Sequence, residues 1–510
     1  MQSFEMRGRP RSLSRDGWWL ASEAHQPDAV PPSDSPGRQC EGGWDPARIM
    51  GLILLLLLGD FLFWQQHVGL SLALFSLAVT LVASHGSPLR LRLVALSISL
   101  AGALPVVDYV LPLSVAFLLA GLISSVVVLA RADHGRGACT FILHLADFLI
   151  ALPDRWLFAL RGLLRPFAAR GPGPGRAVAH RDRGTRGRGL RDWAFPLGGS
   201  LIFLALILEA NPLLLQLGRE TLDPWTLILR VCFWAGLALM ILPFLSRRPA
   251  AKMAHLPAWR VLQLPGLNPR SVLRALILFN LLIGLQILSD ASILIGGASL
   301  PAGMNFSEYA HRGAWPLLAT AMLAGGFTLA ARPFLQEHRA LRPLLLLWLV
   351  QNILLSGAAA LRLDHYIDAY GLTFLRLYAL IWMGLVGFSL MLMAWQVLAM
   401  RSNSWVVIRL FCAALSVLYA SSFINFAALI AAQNLSRDRI DIPYICDLGP
   451  QAAAEVRLAA HRRPEAALLT SYCAAGRAPK IRGWRDWGFR NADVLHKLAL
   501  QQAQAEGEAG

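Results

Sequence analysis

Residues 377–400, LYALIWMGLVGFSLMLMAWQVLAM, run for 24 positions without a charged side chain. As a helix such a run is about 36 Å long, more than the roughly 30 Å of hydrocarbon in a bilayer. Similar runs recur as MGLILLLLLGDFLFW over 50–64 and LPLSVAFLLAGLISSVVVLA over 111–130. In hydrocarbon the backbone must satisfy its own N–H and C=O groups, so each run is expected to be a helix. Composition agrees: 15% of residues are charged and 56% hydrophobic, where a soluble domain carries about a quarter charged residues. The expected fold is all-α, a polytopic transmembrane helix bundle of about 11 spans. The spans lie near 49–65, 68–84, 93–107, 111–130, 195–211, 224–245, 272–293, 314–331, 343–361, 377–399 and 409–432. The turn ALPVVDYVLP, with its two prolines, closes a hairpin of the third and fourth spans.

The formal charge of +16 would suit nucleic acid, but its distribution points elsewhere. With the N-terminus cytoplasmic, the loops on that side collect Arg90, Arg92, the arginines between 131 and 191, and Arg247, Arg248, Lys252, Arg260 and Arg270. They also collect Arg332, Arg339, Arg342, Arg401 and Arg409, whereas the opposite loops hold Arg219, Arg312, Arg362 and Arg376. That asymmetry is the orientation signal of membrane proteins. It predicts a cytoplasmic N-terminus, an extracytoplasmic C-terminus, the bilayer as the main partner, and no nucleic-acid ligand.

Residues 1–47, rich in Pro, Ser, Gly and Arg, read as a disordered tail. The first four spans fill 48–130. Within 131–194, Pro153 divides CTFILHLADFLIALPDRWLFALRGLLRPFAAR into two stretches, each too short to span. Arginines alternating with Trp156, Phe158 and Phe167 predict a cytoplasmic interfacial amphipathic helix, followed by a Gly/Arg-rich linker. A re-entrant or twelfth span is the alternative. A seven-span region over 195–433 and an extracytoplasmic tail over 434–510 complete the chain.

Ionisable residues at membrane depth are costly unless paired, which makes each a candidate site. Three groups fall on the predicted outer face: Asp290; then Glu308, Tyr309, His311 and Arg312; then Arg362, Asp364, Tyr366, Asp368, Tyr370 and Arg376, in a segment expected to join the ninth and tenth spans. Glu308, Arg312, Asp364 and Arg376 are expected to form one charge network. The strings LFNLLIGLQILSD, GGASLPAGMNFSEYAHRGAWPLLATAMLAGG, RLDHYIDAYGLTFLRLYALIWMGLVG and DIPYICDLGPQAA resemble an uncharacterised bacterial membrane family catalogued as domain of unknown function 4173. GDFLFWQQHVGLSLALF resembles that family's first hairpin. The resemblance covers roughly residues 50–500. It implies a multi-span protein of the bacterial inner membrane, with no activity attached, and leaves out the first 47 residues, whose composition reads as that of a dispensable tail.

Several readings of the polar face stay open. The charges are a rim network, with Tyr309, Tyr366 and Tyr370 in the interfacial aromatic belt, or they bind a ligand or protein partner for a sensor or scaffold. A secondary transporter would route substrate past Asn280, Gln286, Gln351, Asn352 and Asn425, amides that also serve as interhelical glue. A membrane-surface enzyme on a lipid-linked or envelope substrate would use Glu308 or His311 as base and Arg312 for a phosphate, but no nucleophile motif accompanies them. Glu308 and His311 with Asp364 and His365 would make a metal set, yet no HExxH or CxxC supports it. No metal and no cofactor are therefore expected. Of six cysteines, Cys446 and Cys473 share the extracytoplasmic tail, and a disulfide between them is expected in an oxidising compartment.

Overall fold

The computed structural model describes residues 46–130, 138–164, 224–245, 268–294, 306–463 and 473–509, with isolated positions between 196 and 207 and at 469–470. All described elements are helical, with no strand among the described residues. The expected tail over 1–47, apart from its last two residues, and the span over 195–211, apart from isolated positions, lie outside them.

A first group comprises α1 (Pro46–Phe63), α2 (Leu70–Ala83), α3 (Leu89–Asp108), α4 (Pro112–Ala130), α5 (Ala138–Ile150), α6 (Leu152–Leu164) and α7 (Pro224–Leu245). The second comprises α8 (Pro269–Leu294), α9 (Phe306–Ala331), α10 (Leu341–Tyr370), α11 (Phe374–Leu398) and α12 (Asn403–Ser421). A C-terminal cap follows, built from α13 (Phe426–Leu435), α14 (Ile442–Asp447), α15 (Ala453–Arg462) and α16 (Phe489–Ala509). Eight of the described helices (α1, α3, α4, α7, α8, α10, α11 and α12) are long and apolar enough to cross a membrane. The chain is a multi-pass membrane protein. Two further expected spans fall on α2, apolar but only 14 residues long, and on α9, with 26 residues.

Small and hydroxylated residues bring the first group together. A Cβ on Gly102 would stand 2.8 Å from the Cα of Gly121, so the α3 and α4 backbones meet there. Such close approach lets dispersion and polar contacts drive association where no hydrophobic force separates helix from lipid. Thr80 donates to the Ser99 hydroxyl (3.0 Å) and lies 3.4 Å from that of Ser125, tying α2, α3 and α4 inside the bundle. In the second group Phe279 and Phe327 stack around Trp348, over a core of Leu276, Leu345 and Leu349. Tyr419 of α12 joins the groups, donating to the Ala101 carbonyl (2.7 Å) and meeting Phe117 edge-on.

The two ends of the bundle differ. At one, Arg332 donates to the carbonyls of Met400 (2.9 Å) and Arg401 (2.9 Å), and Arg342 to that of Leu398 (2.6 Å). Guanidinium groups thus close the C-terminus of α11, where carbonyls lack helical partners. At the other end the cap sits on the α1–α2 loop, the α3–α4 turn and the α10–α11 turn.

Four sequence expectations are corrected. The segment 362–370 is helix, because α10 runs unbroken to Tyr370. The last span ends at Ser421; Asn425 then caps a new helix, accepting from the Ala428 N–H (3.1 Å), so 426–435 belongs to the cap. Pro105 lies inside α3, leaving only 109–111 as the hairpin turn. The break in the 139–170 segment comes at Ala151, two residues ahead of the expected point, and Pro153 stands in the first turn of α6, where its missing N–H costs nothing. Helices α5 and α6, 13 residues each, are about 20 Å long and too short to span.

Candidate functional site

The candidate residues gather at the cap end. Phe327 of α9 packs on Trp348 of α10 with centroids 6.4 Å apart, which sets the register of two antiparallel helices. Fifteen positions further toward the cap come Arg312 and Leu363, and then Glu308 and Ile367, so these backbones lie level. Glu308, Tyr309, His311 and Arg312 occupy the first turns of α9, and their side chains lie outside the described residues. The side chain of Asp290, near the end of α8, does so too. Because Asn280 donates to the Leu344 carbonyl (3.1 Å), Asp290 falls more than roughly one turn below Arg362.

On α10, Arg362 is buried, Tyr366 is half-buried, and Asp364, His365, Asp368 and Tyr370 are exposed. The spacing of Tyr366 and Tyr370, one turn apart, brings their rings together at a tilt of 53° with centroids 5.0 Å apart. Arg376, in the first turn of α11, lays its guanidinium over Tyr366 (4.1 Å) and donates to the Gly371 carbonyl. Arg376 and Asp364 therefore form no ion pair with each other, and this link of the expected network is not made. Among the described residues no three His, Cys, Asp or Glu side chains come together as a metal-holding group.

The cap grips the end of α10 through backbone groups. Asn434 accepts from the Leu372 N–H (2.7 Å) and donates to the Leu372 carbonyl (2.8 Å), as a paired strand would. Arg437 donates to the carbonyls of Asp368 (2.7 Å) and Ile367, closing the C-terminus of the helix. The Phe374 N–H, an orphan donor at the start of α11, gives its hydrogen to the Tyr444 hydroxyl (2.9 Å). Gly371 makes the corner with φ of 85°. Within the cap Cys446 and Cys473 are joined by a disulfide, Cα atoms 4.7 Å apart, beside a core of Ile430, Ile445, Val456 and Leu469.

Among the described residues, sequence reasoning missed two ion pairs that join one helix to another at the same end. Arg490 of α16 donates through Nε to Asp108 Oδ2 (3.0 Å) and through Nη2 to Asp108 Oδ2 and the Ser422 carbonyl (2.7 Å). Both partners are buried. Asp60 of α1 accepts from Arg230 of α7 in a two-pronged pair and from the Trp234 indole (2.9 Å). Charges embedded in apolar runs, Asp60 in LLLLLGDFLFW and Arg230 in LILRVCFW, were the signal for the second.

Among curated proteins and among solved structures, nothing matches the chain. A family model described as "Domain of unknown function (DUF4153)" matches residues 49–458.

Proposed function

The chain belongs to the DUF4153 family, rather than to the 4173 family that its motifs resemble, and from that premise we propose that it is a sensor or scaffold of the bacterial plasma membrane. In this reading the N-terminus is cytoplasmic, the cap lies outside, and the polar cluster beneath the cap takes a ligand or protein partner. The supporting observation is a rigid mount beside solvent-facing charge. Asn434, Arg437 and Tyr444 hold the 371–374 corner, while Asp364, His365 and Asp368 stand exposed next to it. Fixed carboxylates on a preorganised surface suit a cationic or hydrogen-bond-donating partner. A photo-crosslinking residue at the exposed Ala369 should yield a discrete adduct in cells, lost in Asp364→Asn/Asp368→Asn while the cap disulfide persists. An unchanged adduct pattern in that variant overturns the reading.

A second reading, secondary transport, draws on amides at mid-span. Asn280 donates to the Leu276 carbonyl (2.7 Å), Gln351 to that of Asn280 (3.2 Å) and Asn352 to that of Trp348 (2.7 Å). Each amide oxygen is left without a hydrogen bond in a buried position. Such oxygens suit water or a polar solute on a transmembrane route. Substrate-dependent flux in proteoliposomes, abolished by Asn280→Leu, would favour this reading over the first.

A further inference from the structure

The loop over 477–487, RAPKIRGWRDW, carries Arg477, Lys480, Arg482 and Arg485 against a single carboxylate, Asp486. That carboxylate is spent inside the loop, accepting from the N–H groups of Arg482 (2.8 Å) and Gly483 (2.8 Å). The loop is fastened to the α1–α2 connection: Leu70 N–H donates to the Trp487 carbonyl (3.1 Å) and Ser71 N–H to the Arg485 carbonyl (3.2 Å). A Cβ on Gly69 would meet the Asp486 backbone at 2.7 Å, so the two segments touch through main chain. The cations are thereby held where α1 ends and α2 begins, at the membrane surface.

Two exposed rings accompany them. Phe61 is 56% exposed and Trp484 48%, with centroids 6.2 Å apart. The Arg485 guanidinium lies over both, 4.3 Å from Phe61 and 5.1 Å from Trp484. Phe61 also ends a stripe of exposed apolar side chains on α1, Met50, Leu54 and Leu57, at helical spacing. An acyl chain lying along such a stripe would bring the head of the same lipid to the rings and cations above it. Arg482, beside His67, and Lys480 are exposed on that loop.

We propose that the 480–485 loop and the end of α1 form a binding site for the headgroup of an anionic phospholipid. Arg482, Arg485 and Lys480 hold the phosphodiester, and Trp484 and Phe61 lie at the glycerol level, where amphipathic rings settle. The site works through charge and ring placement on one lipid rather than through a diffuse surface potential.

The test is native mass spectrometry of the full chain released from nanodiscs that mix phosphatidylglycerol with phosphatidylcholine. The wild-type chain should retain phosphatidylglycerol preferentially, and Lys480→Gln/Arg482→Gln should weaken retention by roughly fivefold per charge removed. Arg462→Gln, a cation exposed elsewhere in the cap, should retain it as wild type does. Glycerol 3-phosphate should not displace the lipid. Equal retention by the double variant, an equal loss in Arg462→Gln, no preference over phosphatidylcholine, or displacement by glycerol 3-phosphate would each overturn the proposal. A second reading needs no charge variant: brominated phosphatidylglycerol should quench tryptophan fluorescence more than brominated phosphatidylcholine does, and the difference should vanish in Trp484→Phe. A difference that persists in that variant counts against the site.

Discussion

Arg490 and Asp108 are each more than nine-tenths buried, so either charge alone would be stranded under the cap. Removing one partner of such a pair costs about 3–5 kcal/mol, since the other charge stays desolvated. Arg490→Ala and Asp108→Ala should each lower thermal stability in detergent by that amount, and the double variant should lose less than their sum. Strictly additive losses would show that the pair does not act as a unit. Asp486 offers a pH reading. Burial works to raise its carboxyl, but the N–H groups of Arg482, Gly483 and Asp486 itself, with His67 nearby, outweigh it and hold the group below the ordinary carboxylate range. A depressed folded value stabilises the loop above the unfolded value and loses that contribution as pH falls through the folded one. Docking of the 477–487 loop on the α1–α2 connection should therefore loosen in strong acid, below the usual carboxylate range. Hydrogen exchange at the Leu70 and Ser71 amides reads it, and Asp486→Asn should flatten the acid response. Asp486 bonds N–H groups three and four positions before it, a local pattern. The partner of Asp108 could not be read the same way: 382 positions separate Arg490 from Asp108, and no local pattern links ALPVVDYVLP to GWRDWGFR.

Helix α10 illustrates what pattern can and cannot convey about an element. Its membrane-buried part was legible, because LRPLLLLWLVQNILLSGAAAL is apolar at hydrocarbon length. The next residues, RLDHYIDAY, are polar, and polarity at a bilayer edge describes an emerging helix and a loop equally well. The deciding signal was Gly371, a glycine directly behind the last helical residue, which is where a helix commonly stops. The same kind of signal marked Asn425 as the start of α13. Gly371 also yields a prediction. Its φ is 85°, and a Cβ there would come within 3.0 Å of the Asn434 oxygen that holds Leu372. Gly371→Ala should destabilise the protein by about 1–3 kcal/mol, combining strained backbone with a disturbed amide clasp. Gly357→Ala, inside α10 with open space around its would-be Cβ, should be neutral or stabilising by up to about 1 kcal/mol. Equal melting temperatures for the two variants would remove the special role given to the corner.

At the scale of the whole molecule the two ends of the bundle sort the ionisable side chains. One end carries Arg332 and Arg342 on the α11 terminus, with Arg401 close by; the other carries the cap, its disulfide and its grip on the loops of both helix groups. The arginine pattern assigned loops to alternate sides, and among the described residues every contact between the cap and a loop joins segments that this pattern puts on one side. Contacts between loops fix which ends share a side; they do not say which side faces the cytoplasm. That assignment rests on the excess of arginine opposite the cap, which translocation disfavours. Of the other described cysteines, Cys232 and Cys412 lie in α7 and α12, so a bridge in the cap depends on the compartment where Cys446 and Cys473 emerge. Alkaline phosphatase fused behind Gly510 should be active and a fusion after Gly184 silent. Mass spectrometry without prior reduction should recover the Cys446 and Cys473 peptides joined. The opposite fusion pattern, with both thiols open to alkylation, would invert the molecule in the membrane. An active C-terminal fusion with free thiols would keep the orientation and remove the bridge, leaving the cap to its apolar core and the Asp108–Arg490 pair.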